Sequence, residues 1–258
     1  MHADPTAIPW LRAEPGAAAA RLLGGEVHVW WLDLASPRWP LAELSGWLGA
    51  NEAAQAARFH FDVHRLRYIA AHGQMRALLA AYLGSAPQEL RFEREERGKP
   101  RLAHTGAHEL LSFNLSHSED QGLLAISRGT TLGVDIEVQR PLSDLDALAR
   151  SHFAAQELQT LHRLPPARHH DAFFAAWTRK EAYVKALGAG LSVPLDGFEV
   201  TVHPDEPAAL RSIGGSETAA REWTLWAARP RADTWAAVAV QATAATVRTF
   251  SLRHPQLP

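Results

Sequence analysis

The segment "FFAAWTRKEAYVKALGAGL" (173–191) places Trp177, Glu181 and Lys185 four residues apart. On a helix of 3.6 residues per turn these three fall on nearly one stripe, beside an apolar stripe of Phe173, Ala176, Val184 and Leu187 that can face a core. A carboxylate and an ammonium therefore lie along the edge of a buried face. In "GVDIEV" (133–138) the two-residue period of a strand points Asp135 and Glu137 one way and Val134, Ile136 and Val138 the other. Adjacent carboxylates in apolar surroundings repel, and keeping both ionised is costly unless a cation sits between them. With Glu181 as a third oxygen donor and no Cys or His beside them, the set suits Mg²⁺, which completes its octahedron with water and substrate phosphates.

Two further stretches carry polar groups suited to an anion. "FNLSHS" (113–118) closes an apolar run with Ser116, His117 and Ser118. There is no G-x-S-x-G elbow, and a histidine next in sequence to a serine does not place its imidazole on that serine, so the cluster reads either as hydrogen-bond donors for a phosphate or as a polar strand end capped by local hydrogen bonds. "RGKPRL" (97–102) brings Gly98, Lys99 and Pro100 into a turn, with Lys99 as a point charge. Its G-K lacks the following Ser or Thr of a Walker loop. The histidine pairs His60/His64 and His104/His108 lack the glutamate of H-E-x-x-H, and His162, His169 and His170 flank a Pro-Pro loop, so zinc is set aside.

The elements that must hold these groups belong to a globular chain of 258 residues, 47 % hydrophobic and 21 % charged. Its 26 basic and 28 acidic side chains leave a net charge of −2, which gives no global field for nucleic acid, so any polyanion it binds is small and held locally. The absence of cysteine excludes disulfides and thiolate metal sites. No apolar run has signal-peptide or membrane-spanning character, and a cytoplasmic location with no membrane partner is expected.

"EVHVWWLDL" (26–34) reads as a strand, followed by helices over about 41–59 and 63–83, the second stopped by Gly84. "REERGKPRL" reads as a turn or loop. "LLSFNLSHS", "GLLAIS" and "TLGVDIEV" read as strands, and local pattern alone makes "GLLAIS-RGT-TLGVDIEV" a hairpin. A helical stretch covers about 143–187, broken at Pro165-Pro166, and the last third returns to strands. Helices and strands in blocks imply the α+β class.

Together, "RGKP", "FNLSHS", "LGVDIE" and "WTRKEAYVKALGAGLSVPL" resemble, in order and spacing, the Sfp-type 4′-phosphopantetheinyl transferases of the K-E-A subgroup, over about residues 26–200. The resemblance implies two similar α+β subdomains related by a pseudo-two-fold, residues 1–129 and 130–258, with the active site in the cleft between them and the metal ligands in the second. It turns the hairpin at "SRGTT" into the seam between subdomains. The first 20 or so residues match nothing and are expected to be poorly ordered.

The implied reaction is Mg²⁺-dependent transfer of 4′-phosphopantetheine from coenzyme A to a serine of an apo acyl or peptidyl carrier protein, by a monomer, releasing adenosine 3′,5′-bisphosphate. By the resemblance Asp135, Glu137 and Glu181 hold the metal, and Glu181 and Lys185 act on the reacting groups. Lys185, with Lys180 in the same K-E-A-x-x-K element, meets the diphosphate. Lys99, Pro100, Ser116 and His117 hold the nucleotide end, with further charge from Arg67, Arg58 and Arg76. The family's run of basic residues near the first arginine is missing, since "EAAQAARFHF" holds only Arg58. The same residues also admit a magnesium-dependent phosphodiesterase or nucleotidyl transferase, or a catalytically silent carrier-binding or coenzyme A-binding module.

Overall fold

The structure, a computed structural model, describes residues 10–19, 21–95, 97–103, 111–188 and 190–252; the pair His104/His108 lies outside them. In chain order the strands are β1 (Leu11–Ala13), β2 (Glu26–Asp33), β3 (Phe92–Arg94), β4 (Pro100–Leu102), β5 (Leu111–Ser118), β6 (Gln121–Arg128), β7 (Leu132–Val138), β8 (Phe198–Val200), β9 (Leu210–Ile213), β10 (Thr224–Arg231), β11 (Thr234–Val240) and β12 (Thr246–Leu252). The helices are α1 (Pro15–Ala19), α2 (Leu41–Trp47), α3 (Ala50–Ala57), α4 (Asp62–Leu83), α5 (Leu145–His152), α6 (Ala155–Arg163), α7 (His169–Leu187) and α8 (Glu217–Ala220). The expected α+β class is what the chain adopts.

Two sheets form the frame. The first runs β1-β12-β2-β6-β5 and the second β10-β11-β7. Strand alternation decides what each face buries. In β2, His28, Trp30 and Leu32 point to α4, where they pack with Leu78, Leu79 and Tyr82, while Val27 and Val29 point to the second sheet. In β7, Val134 and Ile136 face Val27, Val29, Leu123 and Ala125 across the sheet–sheet core. In β11, Trp235, Ala237 and Ala239 join Phe173, Ala176 and Val184 of α7 in the third core. The order of layers is therefore α4, first sheet, second sheet, α7; of the apolar stripe read on residues 173–187, Phe173, Ala176 and Val184 are buried and Leu187 is exposed. Both long helices end on a left-handed glycine, Gly84 at φ 64° and Gly188 at φ 63°.

Three features differ from the sequence expectation. β6 and β7 lie in different sheets and form no hairpin; the tight hairpin is β5–β6, with Glu119 at φ 49° in its turn. "REERGKPRL", read as a loop, runs from the last residue of β3 through the turn and along β4 of a two-stranded ribbon. The chain ends also pair with the first sheet: β12 lies parallel to β2, and Leu11–Ala13 lie parallel to β12. Residues 11–19 thus form a strand and a short helix where poor order was expected, and the last strand returns to the sheet of the first half. Both pairings are between segments far apart in sequence.

His28 is fully buried, accepts or donates one hydrogen bond at 2.6 Å with the Tyr82 hydroxyl, and leaves Nε2 without a partner. Burial lowers its pKa to about 4, against partial compensation from Glu26. The unfolded chain, with His at 6.5, therefore binds more protons than the native one below that value. Stability from His28 is full above pH 6.5 and is lost as pH falls toward 4, by about 3 kcal/mol across the window. His28→Gln should flatten that part of the acid limb in urea melts taken between pH 7 and 4; an unchanged slope would remove His28 as its source.

Candidate functional site

The site lies where the edge strand of each sheet meets the other, and side chains join them there. Asn114, Ser116 and Ser118, alternate residues of β5, all point at β7. Asn114 Oδ1 accepts from the Val134 amide at 2.8 Å, and Ser118 Oγ accepts from the Val138 amide at 3.1 Å. Ser118 Oγ donates to Glu137 Oε2 at 2.8 Å, and Ser116 Oγ donates to Asp135 Oδ1 at 3.1 Å. The "N-x-S-x-S" alternation thus satisfies backbone amides and carboxylates that no ladder reaches.

Helix α7 lies against the same strand because Gly133 carries no side chain. A β-carbon there would sit 2.1 Å from the Ala186 nitrogen and 2.3 Å from the Ala182 oxygen. This approach brings the Lys185 ammonium to 2.5 Å from Asp135 Oδ1 and 2.8 Å from Ser116 Oγ. Asp135 is 2 % exposed, and its Oδ2 is buried without a hydrogen-bond partner. Burial pushes its pKa up against the pull of Lys185 and Ser116. Glu137 and Glu181 are pushed up as well, each by burial first and then by the Asp135 charge. His152, unremarked in the sequence, rests edge-on against Trp177, which lies on the same helix as Glu181.

Three like-charged carboxylates, each disfavoured in its ionised form, and one orphaned buried oxygen are what a hard cation with oxygen ligands relieves. Among the described residues no three such groups converge closely enough to form a ready ligand set. Glu137 is turned to Ser118, with Arg140 3.8 Å away, and Asp135 is held by Lys185. The donor chemistry fits Mg²⁺; side-chain turns of Glu137 and Lys185 would complete it.

Beside the seam, a cleft of about 880 Å³ opens in the first half, lined among others by Tyr68, His72, Arg91, Arg94, Pro100 and His117. His117 follows Ser116 on β5 and so faces this cleft instead of β7. Its side chain is exposed at the cleft, and the neighbouring protein with the nearby charge of Lys185 and Arg67 lowers its pKa. Among the described residues Arg91 and Arg94 donate only to backbone carbonyls, which leaves their guanidinium charge to the cleft. Arg94 was passed over as part of a polar loop and Arg91 was not singled out; no local pattern in the sequence pairs them.

Five other residues named from the sequence have their partners elsewhere. Lys180 is fully buried and bonds Glu157 Oε2, the Leu195 oxygen and the Phe198 oxygen, each at 2.7 Å, so it cannot reach a diphosphate. Lys99 bonds the Leu132 and Ala186 oxygens at 2.7 and 3.1 Å and ties the end of α7 to β7; burial lowers its pKa. Arg76 is buried against Glu52 and the Pro87 and Leu90 carbonyls. Arg67 pairs at 2.7 Å with both Glu119 and Asp120 of the β5–β6 turn. Arg58 is exposed, 3.5 Å from Gln55.

Lys180 gives a direct check on these roles. Removing one member of a buried, hydrogen-bonded ion pair strands the other, at a cost of about 3–5 kcal/mol. Lys180→Ala should lower unfolding free energy by that order, while Lys180→Met with Glu157→Gln, which keeps an acceptor for the Ala154 and Val200 amides, recovers part of it. Coenzyme A affinity of the folded double variant should equal that of the parent by calorimetry; a large loss would return Lys180 to the binding site.

Comparison with known proteins agrees with this geometry. Residues 131–240 match the model of the 4'-phosphopantetheinyl transferase superfamily, and residues 39–128 match the 4'-phosphopantetheinyl transferase N-terminal model. The chain is 39 % identical over 231 residues to 4'-phosphopantetheinyl transferase HetI of Nostoc sp., covering 90 % of this chain and 93 % of that protein. It is 32 % identical over 180 residues to 4'-phosphopantetheinyl transferase psf-1 of Bacillus pumilus, covering 70 % and 75 % of the two chains. To 4'-phosphopantetheinyl transferase Sfp of Bacillus subtilis it is 29 % identical over 164 residues, covering 63 % and 70 %. With both halves matched by family models and a relative aligned along nearly its whole length, the chain belongs to the 4'-phosphopantetheinyl transferase superfamily.

Proposed function

We propose that the protein transfers 4′-phosphopantetheine from coenzyme A to a serine of an apo acyl or peptidyl carrier protein, with Mg²⁺ as cofactor. The observation that carries the reading is the junction of Ser116, Asp135 and Lys185, flanked by Glu137 and Glu181 and opening beside an arginine-lined cleft. The nucleotide end of coenzyme A lies in that cleft, with Arg91, Arg94 and His117 toward its phosphates and Pro100 on its wall. Its diphosphate extends toward Lys185, whose ammonium balances charge on the departing bisphosphate. Asp135, Glu137 and Glu181 would hold the metal, which supplies charge neutralisation at the diphosphate when bound.

In the transfer itself the serine oxygen bonds to the phosphorus that carries pantetheine, and the bond from that phosphorus to the bridging oxygen breaks. Adenosine 3′,5′-bisphosphate leaves with the bond's electron pair. Glu181, raised in pKa by its surroundings, accepts the serine proton. The enzyme forms no covalent intermediate and works as a single chain of two halves, divided near residue 129 apart from the β12 exchange. Its site of action is the cytoplasm; no helix among the described residues is long and apolar enough to cross a membrane.

The test is incubation with coenzyme A, Mg²⁺ and a panel of apo carriers, read by intact mass. A phosphopantetheine mass gain is expected, and it should vanish when the carrier serine is replaced by alanine. Cleavage of simple phosphodiesters without any carrier modification would favour the phosphodiesterase reading. Glu181→Gln should lose on the order of 10²- to 10⁴-fold in kcat and stay low at excess Mg²⁺, whereas Asp135→Ala should recover in part. Full recovery of Glu181→Gln at high Mg²⁺ would leave it as a ligand only.

A further inference from the structure

Two lysines of α7 sit in opposite situations. An ammonium has three N–H donors. Lys180 uses all three on Glu157 and two carbonyls and is sealed in the core. Lys185 uses two, on Asp135 Oδ1 and Ser116 Oγ, and its side chain is 33 % exposed. It can therefore leave those partners for solvent or a third acceptor without opening the core. While it stays, it holds one oxygen of the carboxylate whose other oxygen, Oδ2, is buried and unpartnered.

An ammonium and a divalent cation cannot share that carboxylate cheaply. A cation reaching Oδ2 would have the Lys185 charge only a few ångströms away, on the far side of the same group. We propose that Lys185 is a built-in counter-ion of Asp135 that a divalent cation must displace, so that metal entry frees the ammonium for a phosphate-bearing ligand. Lys185 thereby keeps the carboxylate paired when no metal is present, and the same movement that loads the metal presents a cation to the diphosphate. Naming that diphosphate as coenzyme A's rests on the transferase reading; the exchange at Asp135 does not.

The experiment is a Mn²⁺ titration of the full chain without coenzyme A, followed by electron paramagnetic resonance of the free ion. Lys185→Met, which keeps length and removes charge, should bind Mn²⁺ about tenfold more tightly or better, since an opposing charge at this range is worth that order. Lys185→Arg should stay close to the wild type. Equal or weaker binding by Lys185→Met overturns the proposal. A second measurement uses the wild type alone, in case Lys185→Met does not fold. Reductive methylation of Lys185, read by peptide mass, should speed up when Mg²⁺ is added, and unchanged or slower labelling overturns it. If carriers gain no phosphopantetheine but the Mn²⁺ difference persists, the transfer reading falls and this one stands. Transfer with equal Mn²⁺ affinities gives the converse.

Discussion

At Gly133 the backbone of α7 lies directly on β7, with Ala186 and Ala182 closer than any side chain would allow. Everything at the junction depends on that approach. It sets Lys185 within hydrogen-bond reach of Asp135, and it brings Glu181 near enough to feel the Asp135 charge. Even the smallest side chain at 133 would have to push the helix outward. Overpacking a filled core costs about 1–3 kcal/mol, and here it would also part the two halves of the site. Lys99 holds the same contact from the other side, bonding one carbonyl on β7 and one on α7.

The rest of the frame makes this approach rigid. Glu157 receives the Ala154 and Val200 amides as well as Lys180, so α6, α7 and β8 are tied through one buried carboxylate. Arg179, beside it, donates to the Thr201, His203 and Glu206 carbonyls. Unmet polar groups in such positions would be costly, and met ones fix orientation. Of the three consecutive charges Arg179, Lys180 and Glu181, two anchor the helix to the strands beyond it and the third is left facing β7. The fixed face determines the functional one.

This division explains what could be read from sequence. Asp135 with Glu137, and Glu181 with Lys185, were visible because strand and helix periods are local and each pair shares an element. The buried stripe of α7, the class of the fold and the stops at Gly84 and Gly188 were legible for the same reason. Lys180 looked equivalent to Lys185, yet its fate is decided by Glu157, which belongs to another helix, and by carbonyls beyond Pro194. Lys99 and Arg67 likewise took partners distant in sequence. The return of β12 to β2 had no local signal either, because a parallel pairing carries no turn to announce it. Hairpin rules joined β6 to β7, which lie in different sheets, and the resemblance put Lys180 at a diphosphate that its buried, saturated ammonium cannot reach.

The carboxylates show why the site and the frame obey different rules. The buried polar groups of the frame have partners for nearly every donor and acceptor, which makes them immobile. At the junction Asp135 keeps an oxygen unpartnered, Lys185 keeps an N–H in reserve, and three carboxylates are raised in pKa, all by burial first, with the Asp135 charge adding to Glu137 and Glu181. Such an arrangement is unfavourable by itself and persists because the surrounding layers over-determine it. Its incomplete bonding is also what lets it respond to a cation and a phosphate, since a fully satisfied network would have to break before it could bind. Rigidity at Gly133, Glu157 and Lys99 thus allows Asp135, Lys185 and Glu181 to remain underbonded in the folded chain.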